Sequence, residues 1–336
     1  MRGALAEARK GLGLTSPNPA VGALLVRRGQ VLARGHHRGV GHPHAEIECL
    51  RALGNSVPKQ ATLYVTLEPC STVGRTPPCT SALIEAGVRR VVVGAVDVNP
   101  AHAGRGLEIL RAAGVQVEAG LLAEECGALN VAFNKWIRQK RPFVIAKCGM
   151  TLDGRLTRPP NEPRAITSLA ARTRANHFRA QVDAVIIGAE TLRSDNPRLT
   201  VRGVRGARQP WRVVLTRSGR LPKSAHLFTD KFSARTIVFR KQPLVEVLDS
   251  LGEREITSVL IEGGGQILGE ALEARLIDRV HIYLAPILAG GPVLAFPGSG
   301  AGATNAALCL RDVRYERIGR DVLVIGDATY PNSLGE

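Results

Sequence analysis

Aromatic residues are scarce: Phe, Trp and Tyr together make up 4% of the 336 residues. Any core must therefore be mostly aliphatic and rich in Ala. No run of about 18 apolar residues occurs, so no segment reads as a membrane span. Met1 to Gly11 contains Arg but no apolar stretch, which excludes a signal peptide of the usual form. Cysteine is sparse, with six in the chain: Cys49, Cys70, Cys79, Cys126, Cys148 and Cys309. Six in so long a chain exclude a disulfide-dense scaffold. A reducing cytoplasm fits, and it would keep thiols free for metal.

Clustered charge is also missing. The formal net charge is +16, yet Arg is spread along the whole length. Pairs such as Arg27-Arg28 and Arg89-Arg90 occur, but no block of about five like charges does. A nucleic-acid binder would gather its Lys and Arg on one face or in a run. The spread points instead to a compositional bias together with attraction for phosphorylated small molecules. No internal repeat or low-complexity segment is present.

The length favours two domains, and a hydrophobic content of 44% supplies two cores. A short Ala-rich helix is expected over 4–10. A hairpin follows over 21–26 and 31–34, turning at Arg27-Arg28-Gly29-Gln30. A helix over 45–53 ends at Gly54. Strands over 61–67, 88–96 and 115–119 then alternate with helices over 81–86 and 107–113. That alternation indicates a layered α/β domain with a largely parallel sheet. A long helix over 121–138 runs up to Gln139-Lys140-Arg141-Pro142. Proline cannot continue it, and the charged stretch suits an exposed connection. The boundary falls here, giving domains over 1–139 and 143–336. The second domain repeats the alternation, with strands near 143–148, 184–187, 211–215, 236–239, 258–261 and 280–284. Helices are expected over 169–179, 244–251 and 266–276, and a closing antiparallel pair over 310–317 and 321–325.

His44-Ala45-Glu46, Pro69-Cys70 and Pro78-Cys79 carry the chemistry. One imidazole and two thiolates can hold zinc and leave its fourth position free, the arrangement of a catalytic site. His44 opens a helix, Cys70 follows a strand and Cys79 begins another helix. Open α/β sheets place ligand sites at such strand ends. Zinc brings a bound water to a pKa near 7. Glu46, two residues past the His, is placed to move protons, as base and then as acid. An H-x-E…P-C…C pattern of this kind is that of zinc deaminases of nucleobases. A structural zinc closed by His36 or His42 is the competing reading. Otherwise His36, His37 and His42 read as ordinary loop and strand-end polar residues.

The segments around these ligands carry a resemblance. Ser16-Pro17-Asn18-Pro19-Ala20-Val21-Gly22, Thr66-Leu67-Glu68-Pro69-Cys70-Ser71 and Gly74-Arg75-Thr76-Pro77-Pro78-Cys79-Thr80 resemble the bifunctional riboflavin-biosynthesis deaminase/reductase family. So do Lys147, Leu152-Asp153-Gly154-Arg155, Ala165-Ile166-Thr167-Ser168, Gly188, Thr191, Asp195-Asn196-Pro197-Arg198-Leu199-Thr200-Val201-Arg202 and Ile261-Glu262-Gly263-Gly264-Gly265. The likeness spans nearly the whole chain.

It implies a cytidine-deaminase-like α/β/α domain followed by a dihydrofolate-reductase-like α/β domain. It further implies one zinc per chain on His44, Cys70 and Cys79, with Glu46 catalytic, and NADPH as second cofactor. Asn18 would touch the substrate, a phosphoribosylated diaminopyrimidinone that is deaminated and then reduced from ribosyl to ribityl. Gly149, Thr191, Asp195, Gly264, Gly265 and Gln266 would line the cofactor. Arg179, Leu199, Arg202 and Glu262 would face the reductase substrate, the two arginines suiting its phosphate.

The turn at Gly263 to Gly265, between a strand and a helix, lets backbone approach a phosphate at a helix N-terminus. It is not the G-x-G-x-x-G fingerprint, so no Rossmann domain is expected. No nucleic-acid or membrane partner is expected, and a homo-oligomer is left open. A rival from another class is a nucleic-acid base deaminase with a basic second domain, which predicts tight, salt-sensitive binding.

Overall fold

The computed structural model describes residues 1–54, 57–72, 77–156 and 165–331. Of the motif segments above, residues 74–76 lie outside the described residues. The chain forms two compact units, Met1–Lys140 and Arg141–Glu336.

The first unit runs α1 (Arg2–Arg9), β1 (Gly22–Arg27), β2 (Gln30–His36), α2 (Ala45–Leu53), β3 (Thr62–Leu67), α3 (Cys79–Glu85), β4 (Arg90–Ala95), α4 (Arg105–Ala112), β5 (Gln116–Ala119), α5 (Ala123–Leu129) and α6 (Val131–Gln139). Its sheet has the order β2-β1-β3-β4-β5. The expected largely parallel sheet is half so: β3, β4 and β5 are parallel, while β1 pairs antiparallel with both β2 and β3. The tight turn between Arg27 and Gln30 accounts for the β1–β2 pair, since it can join only antiparallel strands. Val91, Val92 and Val93 are buried in succession, as befits a strand covered on both faces. Helices supply the covers, and Leu83 and Leu110 are fully buried from α3 and α4. Each such side chain contributes roughly 1.5–3 kcal/mol of transfer free energy.

The helix expected over 121–138 is in fact two. Asn130 leaves helical geometry at φ −115°, ψ 25° and separates α5 from α6. Its side chain is taken up elsewhere in the unit, as described below.

The second unit runs β6 (Phe143–Thr151), α7 (Leu169–Phe178), β7 (Ala184–Gly188), α8 (Ala189–Asp195), β8 (Trp211–Thr216), α9 (His226–Thr229), β9 (Thr236–Arg240), α10 (Leu244–Glu253), β10 (Ser258–Gly263), α11 (Gly265–Glu273), β11 (Arg279–Ala285), β12 (Cys309–Ile318) and β13 (Asp321–Thr329). The short helices α8 and α9 were not expected from periodicity. The sheet order is β12-β13-β11-β6-β10-β7-β8-β9. From β11 to β9 all neighbours are parallel, and β13 and β12 close the sheet antiparallel. β6, β10 and β7 therefore bring their carboxyl ends to one edge. That edge is where an open sheet of this type forms its ligand crevice.

Candidate zinc and cofactor sites

The first site begins with close packing of α2 on β2. A Cβ at Gly35 would lie 2.2 Å from the Ala45 carbonyl and 2.5 Å from the Cys49 nitrogen. Glycine alone permits that approach, and it seats the start of α2 beside the sheet. His44 is the extended residue before α2, and Glu46 lies in the first turn. Cys70 follows the end of β3, and Cys79 is the first residue of α3. The Nδ1 of His44 and the two Sγ atoms all lie within 4.8 Å of one another. His44 Nδ1 is 3.3 Å from Cys79 Sγ and 3.5 Å from Cys70 Sγ. The Cys79 N–H donates to Cys70 Sγ at 3.3 Å.

These donors fit a zinc ion: three borderline-soft ligands converge, and a thiolate begins a helix where the dipole favours negative charge. The Cys70 thiol is pushed down, first by hydrogen bonding with the Cys79 thiol and then by His44, against the effect of burial. A divalent ion between the sulfurs would draw off the second proton as well. Glu46 is 3% exposed, and burial, the largest cause, raises its carboxyl to about 7. The charge of a bound dication acts in the opposite direction.

The three-member cluster includes neither His42 nor His36. His42 is exposed, and His36 lies 3.6 Å from Glu7. His37 is the residue that sequence reasoning passed over. It is 2% exposed, and its ring packs edge-on to His44 at 5.3 Å between centroids. Its Nδ1 lies 3.0 Å from the Pro43 carbonyl, which can only accept, so Nδ1 carries the proton. Nε2 is thus left to accept from Asn18 Nδ2 at 3.1 Å. The only sequence signal for it was its nearness to His44, which His36 and His42 share.

The second site lies at the carboxyl ends of β6, β10 and β7. Gly264 takes φ +82°, and a Cβ there would meet nothing nearer than Thr191 Oγ1 at 3.6 Å. The turn is open at that point, and α11 starts immediately after it. Gly265 is the reverse: a Cβ would lie 2.1 Å from the Leu294 carbonyl. Thr191, in the helix following β7, reaches the same turn, with its Cγ2 3.0 Å from a Cβ built on Gly263. Open amides at a helix start suit an anionic phosphate, so the residues present fit a phosphate-bearing cofactor. Gln266 is exposed on the first turn of α11, and Gly149 lies near the end of β6 against Thr167. Asp195 ends α8 in an exposed position, where it accepts from Ser194 Oγ at 3.0 Å.

Glu262, next to that turn, has its side chain largely covered and held by two cations. Arg179 grips it with Nε and Nη2 at 2.5 and 2.8 Å, and Lys147 Nζ lies 3.6 Å away. Burial raises this carboxyl, but Arg179 and Lys147 outweigh it and hold it at about 2. The charge of Arg179 is thus committed to Glu262, and Lys147 remains as the cation in excess. Leu199, expected to face substrate, is 3% exposed and packs in the core with Ile187, Leu192 and Leu260. Only its backbone, at φ 54°, is left to meet a ligand. Arg202 is exposed, and its carbonyl accepts from Asn176. The structure brings Thr191, Gly264 and Gly265 together at one turn, and Arg179 and Glu262 together beside it.

Residues 142–324 match the family model described as the RibD C-terminal domain. Residues 1–95 match the cytidine and deoxycytidylate deaminase zinc-binding region. The riboflavin biosynthesis protein RibD of Synechocystis sp. is 40% identical, over 97% of this chain and 95% of that protein. The chain belongs to the RibD family. RibD of Actinobacillus pleuropneumoniae is 39% identical, over 96% of this chain and 93% of its own length. Among solved structures, Acinetobacter baumannii RibD superposes with a TM-score of 0.88 at 35% identity, covering 98% of this chain and 97% of that one. A Thermotoga maritima structure titled diaminohydroxyphosphoribosylaminopyrimidine deaminase/5-amino-6-(5-phosphoribosylamino)uracil reductase gives 0.88 at 34%, covering 98% of this chain and 97% of that one.

As a RibD protein the chain is a bifunctional deaminase and reductase of riboflavin biosynthesis, with zinc and NADPH as cofactors. A RibD reductase domain stands where the nucleic-acid reading needed a basic binding domain, so that reading is not favoured. Among the described residues no helix is long and apolar enough to cross a membrane.

Proposed function

We propose that the first unit hydrolytically deaminates 2,5-diamino-6-(5-phosphoribosylamino)pyrimidin-4(3H)-one. The second unit then reduces the ribosyl group of the product to a ribityl chain, in the cytoplasm. The observation that carries this reading is the cluster of His44, Cys70 and Cys79 with buried Glu46 two residues past the His. Working domains of 1–139 and 143–336 are supported by the two compact units.

His44, Cys70 and Cys79 would hold zinc, which supplies a Lewis acid and an acidified water when bound. Glu46 takes one proton of the attacking water and delivers it to a ring nitrogen; it then takes the remaining hydroxyl proton of the adduct and passes it to the amine as the C–N bond breaks. One carboxylate can serve each transfer because the same group acts first as base and then as acid. Asn18 gives its amide N–H to His37, and its Oδ1 would accept from a ring N–H or amine of the substrate.

In the second unit the turn at Gly264 and Gly265, with Gln266, Thr191, Asp195 and Gly149, would line NADPH, the source of hydride when bound. Lys147, with Arg179, Glu262, Arg202 and the backbone of Leu199, would orient the phosphorylated sugar.

The test is incubation of the full chain with the diaminopyrimidinone, with and without NADPH, following ammonia and NADPH separately. Ammonia should appear in both cases, and NADPH should be consumed only after it. NADPH oxidation without ammonia release would contradict the assignment.

A further inference from the structure

Asn130 lies 110 residues from the loop that carries Asn18, yet the two are tied together. The Ala20 N–H donates to Asn130 Oδ1 at 2.8 Å, and Asn130 Nδ2 donates to the Ala20 carbonyl at 3.0 Å. Asn130 is 6% exposed, so both bonds are shielded from water. The pairing suits an amide: one end must accept and the other must donate. A carboxylate would set a negative oxygen against the Ala20 carbonyl, and an aliphatic side chain would leave both backbone groups unpaired.

The placement of Asn130 is unusual for its type. It stands at the N-cap of α6, where Asn ordinarily accepts from the helix amides. Here it makes no such cap, and its side chain is given to Ala20 instead. The break between α5 and α6 occurs at this residue. Two residues before Ala20, Asn18 bonds His37 beside His44. Two residues after it, the Gly22 N–H donates to Thr66 Oγ1 at 3.1 Å. The loop is therefore held at several points, and Asn130 supplies the one at Ala20.

We propose that Asn130 is a positioning residue for deamination: it seats the Asn18 loop over the zinc cluster from beyond the matched zinc-binding region. The proposal rests on the reading of Asn18 as a substrate contact. Its consequence is that the deaminase site is incomplete without the segment joining α5 to α6.

The experiment uses the full chain with Asn130→Asp, Asn18→Ala and both together, measuring kcat and KM for ammonia release. Zinc content and reduction of the deaminated substrate are followed in parallel. Asn130→Asp should raise KM about five- to tenfold, the effect of about one hydrogen bond, and change kcat little. Zinc should stay at one per chain, and reduction should be unchanged. In the Asn18→Ala background the same change should add little, because its effect passes through Asn18. If Asn18→Ala raises KM but Asn130→Asp does not, the inference falls and the reading of Asn18 stands. If Asn18→Ala leaves KM unchanged, the reading falls and takes the inference with it. A loss of kcat that tracks lost zinc, or additive effects on KM, would reduce Asn130 to a structural role. Should the Asp variant not fold, Asn130→Ser is read in the same way.

Discussion

The two sites hold their residues by opposite means. In the first unit, ligands from three neighbouring segments converge within 4.8 Å, and an acidic side chain is buried beside them. In the second, the groups lie along the carboxyl edge of three parallel strands, and the central feature is a backbone turn. A metal demands a few fixed donors at short range. A dinucleotide needs an extended edge, an open turn and a cation or two. The first site is therefore vulnerable to loss of one atom, and the second to small changes of shape and charge spread over many residues.

Removing one donor tests the sharper half of that contrast. Cys70→Ser should strip most of the zinc and lower ammonia release about a thousandfold or more, since a ligand serves all the chemistry there. Metal analysis and an ammonia assay check it, and a variant with full zinc and full activity would remove Cys70 from the site.

Next in size is the Glu262 carboxylate of the second unit, whose side chain is 6% exposed. Folding lowers the Glu262 carboxyl from its ordinary 4.5 to about 2. A depressed carboxyl stabilises the fold above its unfolded value, and that contribution fades as pH falls from about 4.5 toward 2. At about 1.4 kcal/mol per unit the contribution is on the order of 3 kcal/mol. Glu262→Gln should be less stable than the parent by about that much at pH 7, as Arg179 then lies unpaired. Urea unfolding across pH should show the difference shrinking below about pH 4.5. A constant difference would mean that the ion cluster is not its source.

Shape is tested by Gly265→Ala. Its Cβ would overlap the Leu294 carbonyl at 2.1 Å, so the turn or the facing loop must shift. NADPH oxidation should lose about tenfold or more in kcat/KM, since backbone rather than a flexible side chain must give way. Ammonia release should not change, and equal damage to both activities would blur the contrast between the sites.

The same contrast explains what the sequence made legible. His44, Cys70 and Cys79 could be read directly because few residue types bind zinc and their neighbours mark helix starts and a strand end. The alternation of elements was equally plain, because parallel strands such as β7 are apolar throughout. His37 was missed because nothing local separates a histidine packed on a ligand from one at the surface. The burial of Leu199 was hidden for a related reason: its side chain belongs to the core, a fact visible only once β7 and α8 are packed. The break at Asn130 escaped because its periodicity is helical on both sides. The side chain that ends the helix has its partner at Ala20, far away in sequence. The committed state of Arg179 likewise depended on Glu262, 83 residues on.

The central claim is that two chemistries reside in two separable sites, and Glu46→Gln tests it most directly. The change preserves size and all three zinc donors while removing the proton shuttle. The full-length variant is assayed for ammonia release from the diaminopyrimidinone and, separately, for NADPH oxidation with substrate already deaminated. Ammonia release should fall by about 10²–10⁴-fold. NADPH oxidation should remain at the parent rate, and zinc should stay bound. Loss of NADPH oxidation in a folded, zinc-bearing Glu46→Gln protein would contradict the account and point to a single shared site.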